Sequence, residues 1–515
     1  PFLHVLSPSG NATADRRSAI RVASSWFLCG REGVRVRARV KGRGEIAIGI
    51  GGVCSTTSLY GVPDSKTFAL ETGWRELDLL LKTDKSLVHD KAQVLIHAAG
   101  QADVDDVVVL PATTRVDSRQ AVVQRAVCGL EFERPSRIFE TGAPVRATLR
   151  TAPALEEDAR AHWRVTDYYD REVGRGVALL QAGSLQTRLS LPFRKPGYYR
   201  LHCVVAGRRD TGAFVIADPP PANPDPRFGI CVSTWDSQAT ADKVRDLGAG
   251  ALRIHNIFHW GWVSPVKGTF YPHPHKLKIY KSSGAEVMAY VTGHAPDWVQ
   301  RETNKEFDLD AAAGMLRDLV KATSGVVDQY EIFNEPNGHF PGTAATYAQW
   351  LARAYDVVKE VSPRSQVIGI CTSNIVVDYI EGVLKAGDPR KMDALSIHPY
   401  RPNPPESTPL LKELAALKQA VADNGYNGPI WQTEVGYRAA DRPMNPPRFA
   451  NIKLFSEAEA ARHMVKMNLM CLSAGLDRFY WFYLSGVGGG KNPFYFGMYY
   501  ENPEHSVPKK TVAAF

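Results

Sequence analysis

Pro219-Pro220-Pro221-Ala222-Asn223-Pro224-Asp225-Pro226 is followed at once by Arg227-Phe228-Gly229-Ile230-Cys231-Val232-Ser233-Thr234-Trp235. Five prolines in eight residues cannot supply the backbone bonds of a helix or a central strand. The first stretch is therefore a stiff linker (219–226) and a domain boundary. The second stretch is a short apolar run that opens a new grammar. Eight such runs lie beyond the linker, over 228–233, 251–256, 286–293, 327–333, 365–371, 394–398, 430–434 and 478–484. Helical periodicity fills the spaces between them, over 239–247, 311–323, 347–361, 410–424 and 456–474. One strand alternating with one helix predicts a parallel sheet, and eight repeats predict a (β/α)8 TIM barrel over 227–515. A doubly wound sheet fits less well, because Ser233-Thr234-Trp235 stands where a Gly-rich nucleotide fingerprint would follow the first strand.

Before the linker the pattern has period two. Segments 34–40, 45–50 and 104–110, separated by Gly-rich breaks, predict an all-β sandwich over 1–118 of the jelly-roll, galactose-binding-like kind. Segments 145–151, 161–166, 185–191, 198–205 and 213–217 predict a second, immunoglobulin-like sandwich over 119–218. The first sandwich reads as a carbohydrate-binding module or as a spacer, the second as a spacer.

The net charge of +8 falls mostly before the linker, so it says little about a cleft in the barrel. Arg35, Arg37 and Arg39 alternate with apolar residues and read as one basic strand face, solvated or, as the alternative, in contact with an acidic polymer. Nothing in this pattern calls for a nucleic-acid partner. No run reaches the ~18 apolar residues that span a bilayer. The seven cysteines are scattered without a C-x-x-C, which argues against a zinc knuckle and for buried thiols, with one or two disulfides left open. Asn11-Ala12-Thr13 is a glycosylation sequon. A start at Pro1 fits a processed or trimmed chain, which suggests a secreted, periplasmic or cell-surface protein, and Lys509 to Phe515 reads as the opening of a helix.

Two strand ends carry an acidic residue. The fourth reads Tyr330-Glu331-Ile332-Phe333-Asn334-Glu335-Pro336-Asn337 and the seventh Ile430-Trp431-Gln432-Thr433-Glu434-Val435-Gly436-Tyr437. A carboxylate closing an apolar strand is costly unless it is bonded or reactive. Strands four and seven lie on opposite sides of the barrel, so Glu335 and Glu434 face one another across its mouth. Two carboxyl groups about 5–5.5 Å apart, one protonated and one ionised, are what cleavage of a glycosidic bond with retention requires. Structural carboxylates paired with arginines are the alternative.

Asn334-Glu335-Pro336 with Thr433-Glu434 three βα units later resembles the clan A retaining glycoside hydrolases. With Ser396-Ile397-His398-Pro399-Tyr400, residues 228–515 are most similar to family 39 and related family 5 enzymes. The resemblance implies Glu335 as acid/base, Glu434 as nucleophile and Asn334 as donor to a sugar 2-hydroxyl. It implies that Arg253 holds the nucleophile ionised; a buried partner for Glu331 is the structural alternative, and the two are compatible. It implies that His398 and Tyr400 contact the nucleophile or the sugar, and that Trp481 is the cleft tryptophan. His294, Trp260 and Trp298 are further candidates for sugar contact, with Trp235, Trp262, His255 and Asn256 behind them, because pyranose C–H faces stack on aromatic rings. Alternation turns Trp431 away from Glu434. Pro265 to Tyr271 keeps the family's loop pattern, but Pro272-His273-Pro274-His275 departs from it and leaves the sugar open. The Gly-rich 486–490 segment is a candidate lid. No cofactor and no metal is expected, since the His-rich 255–275 stretch matches no ligand spacing. The expectation is thus a retaining glycosidase acting on an oligo- or polysaccharide. An inactive carbohydrate-binding barrel and a transglycosylase are the alternatives.

Overall fold

The computed structural model describes residues 3–6, 20–23, 27–28, 34–52, 64–81, 91–111, 127–152, 154–233, 237–305, 307–441, 453–485, 495–501 and 506–515. Asn11, Cys29, Cys54, Trp235 and the 486–490 segment lie outside them.

Before residue 112 the described strands form one seven-stranded antiparallel sheet. Its spine is Val34–Gly52 paired along its length with Lys91–Pro111. The sequence places a break between 40 and 45, yet the strand runs through. Gly42, at φ 150° and bonded through its N–H to Glu71 O at 2.7 Å, stays paired with Ala102 where the residue types predict an end. Arg35 and Arg37 do face outward, bonded to Asp78 across the strand pair.

Residues 127–217 form two facing sheets. One has three strands (Val127–Phe132, Val145–Ala152, Gln186–Leu191) and the other five (Ile138–Glu140, Ala159–Thr166, Glu172–Leu180, Gly197–Val205, Arg208–Ala217). Leu130, Leu149, Leu189, Val165, Leu201 and Phe214 meet between them, as inward positions at period two must.

The remainder is a closed, all-parallel barrel of eight strands. They are β1 (Phe228–Val232), β2 (Ala251–His259), β3 (Glu286–Thr292), β4 (Gln329–Ile332), β5 (Gln366–Ser373), β6 (Ala394–His398), β7 (Ile430–Val435) and β8 (Arg478–Trp481). Helices cover its outside, and their starts are written locally. Asp308 accepts from the N–H groups of Asp310 and Ala311 at the head of Leu309–Thr323, and Ser456 with Glu459 forms a capping box for Glu457–Ser473. Helices at Pro274–Lys281, Asp297–Thr303 and Val377–Ala386 add to those read from the sequence, where they are too brief to show a clear period. The C-terminal segment forms a 3-10 turn, Lys510–Ala513, in place of the expected helix start. Cys231, Ala251, Met288, Ile368, Ala394, Trp431 and Tyr480 fill the barrel interior. The larger apolar core lies between wall and helices, and it takes in Ile138, Tyr198, Ala213 and Val215 of the second sandwich.

Among the described residues no helix is long and apolar enough to cross a membrane. Cys128, Cys203, Cys231, Cys371 and Cys471 are free thiols.

Candidate active site

Three strands end in β-bulges, between Ile254 and Phe258 in β2, Gly369 and Thr372 in β5, and Gln432 and Val435 in β7. A bulge re-aims side chains that strict alternation would send elsewhere. Those in β5 and β7 turn Cys371 and Glu434 inward to Arg253, beside His255, which alternation from Arg253 already places on that face.

Arg253, in β2, is fully buried. Its Nη1 donates to Glu434 Oε2 at 2.7 Å, its Nη2 to Asn334 Oδ1 at 2.7 Å, and its Nε to Glu331 Oε2 at 2.8 Å. The guanidinium stacks 4.5 Å from the centre of the Tyr290 ring. Both explanations of this arginine therefore hold at once, since it pairs with Glu331 and with Glu434. Glu331 also accepts from Ser396 Oγ at 2.9 Å.

Glu434 is 7% exposed. Tyr400 donates its phenol to Oε1 at 2.8 Å, while His255 Nε2 lies 3.3 Å from Oε2. Burial pushes this carboxyl up, but His398, His255 and Arg253 outweigh it and hold it well below the usual carboxylate range. His255 itself is lowered, chiefly by burial. Its other ring nitrogen, Nδ1, is 3.1 Å from Tyr290 Oη.

Glu335 is set differently. Pro336 begins the short helix Pro336–His339, and Glu335 precedes it in the left-handed region, at φ 52°. Its N–H donates to Cys371 O, and Asn337 is clamped to Ser373 through both backbone N–H and carbonyl, so the turn is tied to β5. His398 Nδ1 lies 2.9 Å from Glu335 Oε1, and His398 Nε2 lies 3.2 Å from Cys371 Sγ. Burial disfavours a charge on His398, but Cys371, Glu434 and the bonded Glu335 raise it well above an ordinary histidine. One oxygen each of Glu335 and Glu434, with a His398 nitrogen, lie within 4.8 Å of one another. That spacing alone suits a cation. Arg253, bonded to Glu434 and Glu331, already supplies the positive charge, so the group is poorly suited to a metal ion.

Glu335, Glu434, Asn334, Arg253, His398 and Tyr400 thus come together, joined by His255, Tyr290, Cys371 and Asn337. The tryptophans go elsewhere. Trp481 is 2% exposed and packs beside Tyr437 in the core between wall and helices, because its neighbour Tyr480 takes the inward position. Trp260 opens a short helix after β2 and turns edge-on to Phe307 within that same core. Trp298, in the helix Asp297–Thr303, donates its indole N–H to Ser264 O and ties that helix to the end of the short helix after β2. His294 is exposed and bonds neither carboxylate, and Trp262 stacks on His259. Trp431 is buried, under Arg478. The aromatic surface beside the carboxylates belongs instead to Phe482 and Phe496. Phe482 is 6.2 Å from Tyr400 and 5.2 Å from His255, and Phe496 is 5.8 Å from Tyr400. In the sequence Phe482 lies inside the eighth apolar run, 478–484, and only the end of β8 at Trp481 shows it to follow the strand.

A cavity of about 690 Å³ lies at the seam of sandwich and barrel, between residues such as Arg164, Arg200, Phe455 and Lys510. None of the groups bonded to the carboxylates lines it, and the chemistry is the better guide to the site.

No family model matches the chain, and no curated protein matches it. Solved structures do. A β-glucuronidase from Ruminococcus gnavus matches at 10% identity and TM-score 0.38 over 96% of this chain and 87% of that one. A β-glucuronidase from Bacteroides uniformis matches at 10% and 0.39 over 95% and 61%. A Bacteroides fragilis protein, described provisionally as a β-galactosidase, matches at 11% and 0.38 over 96% and 76%. Likenesses this loose carry no function across, and the geometry of the site alone bears the functional reading.

Proposed function

We propose that the chain is a retaining glycoside hydrolase that cleaves a β-type bond in an oligo- or polysaccharide through two glutamates. One observation carries the reading: Glu335 and Glu434 approach within 4.8 Å from oppositely furnished surroundings. Retention needs carboxyl groups about 5–5.5 Å apart, whereas inversion needs about 6.5–9.5 Å to admit a water between them. Glu434, held ionised by Arg253, Tyr400 and His255, is the nucleophile that attacks the anomeric carbon. Glu335, bonded to His398, protonates the leaving oxygen and then takes the proton from the attacking water. Asn334 has its carbonyl oxygen committed to Arg253, so its amide N–H groups are free to donate to a sugar hydroxyl. Phe482, Phe496 and Tyr400 offer ring surface for the sugar's C–H face.

The finer resemblance, to family 39 and its family 5 relatives, belongs to the same proposal, as do export from the cytoplasm and a division into sandwiches at 1–118 and 119–218 ahead of the barrel. A 2-deoxy-2-fluoro glycoside with an activated leaving group tests the mechanism. Mass spectrometry should find a covalent adduct on Glu434, and NMR should show the first-formed product with its anomeric configuration kept. Glu434→Ala should abolish turnover, while Glu335→Ala should still attack activated aryl glycosides slowly. An inverted product, or full activity of either variant on a natural glycoside, would refute the assignment.

A further inference from the structure

Arg438 follows β7 in the segment that carries Glu434 and Gly436 away from the barrel wall, and it is partly exposed. Its guanidinium carbon stands 4.9 Å from the centre of the Phe496 ring. Phe496 is 5.2 Å from Phe482 and 5.8 Å from Tyr400, whose phenol bonds Glu434. One aromatic ring therefore separates this cation from the side chain that grips the nucleophile.

Other arginines around the barrel mouth are occupied. Arg253 pairs with Glu331 and Glu434, and Arg401 with Glu413. Among the described residues no carboxylate bonds Arg438. Burial lowers its pKa, and the one group that raises it is the Tyr400 phenol. A partly desolvated guanidinium that no carboxylate among the described residues pairs is a cost to the fold unless something else supplies the anion. Its place over Phe496 uses the face of the group, and no described carboxylate takes its N–H rim, whose fork geometry suits a carboxylate or a sulfate.

We propose that Arg438 binds the anionic group of a charged sugar seated on Phe482, Phe496 and Tyr400, so that the substrate is an acidic saccharide, a uronide or a sulfated glycan. The proposal rests on the glycosidase reading and names the substrate class for that site.

The test uses acidic polysaccharides and aryl uronides. Each is assayed beside the same compound with its carboxyl groups reduced to hydroxymethyl or its sulfates removed, against the wild-type chain, Arg438→Gln and Arg438→Lys. A charge-assisted contact of this kind corresponds to about 30-fold in kcat/KM. Removing the recognised charge should cost the wild type about that factor, and the arm that shows the loss tells carboxylate from sulfate. In Arg438→Gln the charged-to-neutral ratio should fall toward one, with Arg438→Lys between, because an ammonium keeps the charge and loses the fork. If the wild type cleaves charged and neutral forms alike, or Arg438→Gln leaves the ratio unmoved, the proposed substrate class is wrong while the hydrolase reading stands. If nothing is cleaved, the fluoro-glycoside adduct decides about the hydrolase reading, and calorimetry with anionic oligosaccharides on Glu335→Gln decides about Arg438. Binding weakened by a similar factor in Glu335→Gln/Arg438→Gln supports the site, and no binding, or binding that Arg438→Gln leaves unweakened, removes it.

Discussion

Replacing Arg253 with methionine keeps most of the side chain's volume and deletes a cation that serves three partners. Glu331 is fully buried, and after the change it keeps the bond from Ser396 Oγ. Glu434 keeps Tyr400 and His255. Stranding a buried charge costs about 3–5 kcal/mol, and the larger part should fall on Glu331, which has less to fall back on. Both carboxyls are held low in the folded chain, so the stability they bring is present above the ordinary glutamate value of 4.5 and is lost as pH falls through the folded values. The gap between wild type and Arg253→Met should therefore be widest near neutrality and narrow on acidification. Activity should fall about 10- to 100-fold, the range for one lost bond to a charged group. Adding Glu331→Gln neutralises the stranded carboxylate, so the double variant should recover most of the stability and little of the activity. Denaturant unfolding at pH 7 and pH 4, with initial rates on the best substrate, measures all of this. A double variant no more stable than Arg253→Met would refute the account of the buried network.

Gly436→Ala should destabilise the barrel by about 1–3 kcal/mol and lower turnover, because a Cβ there would lie 1.9 Å from the Phe482 carbonyl oxygen, and thermal melts would show it. Lys509 is 2% exposed and donates to the carbonyls of Ala439 and Tyr495, and burial lowers it to about 7 from 10.5. Between those values the unfolded chain binds the proton more readily than the folded one, so stability should rise as pH goes from 7 to 10.5 by on the order of a few kcal/mol. Lys509→Met should flatten that slope, and a stability–pH profile unchanged by the substitution would contradict it. Cys371→Ala removes the sulfur beside His398 Nε2 and should move the pH profile of kcat/KM with only a small change in melting temperature.

The barrel is legible because each of its eight strands is an apolar run short enough to count, and because helical periodicity separates most of them. The two carboxylates are legible for a related reason: an acid at the end of such a run has no structural excuse. His255 is legible as a weaker candidate, on the same face as Arg253 by alternation. Cys371 is not, because it reaches the site through a bulge, and no pattern of residue types marks a bulge in a strand this short. The tryptophans mislead for the opposite reason. Resemblance puts Trp481 in the cleft, although simple alternation from Tyr480 sends it outward. Position along the chain puts Trp260 and Trp298 near the mouth, but each lies in a short helix whose own packing decides where the indole points. Arg438 carries no sequence signal at all, since its place over Phe496 and beside Tyr400, with no carboxylate partner among the described residues, shows only in the fold.

The apolar core shared by the second sandwich and the barrel bears on how the chain can be cut. Tyr198 donates to Pro508 O and Tyr499 to Ser136 O, while Arg200 reaches Asp441 and Glu457 on the far side. A fragment begun at the proline-rich stretch would leave Val215's and Tyr198's apolar counterparts bare and Glu457 without its arginine. The smallest piece that folds as one unit should accordingly start near residue 127, and the prolines, for all that they punctuate the sequence, join two parts of a single folding body.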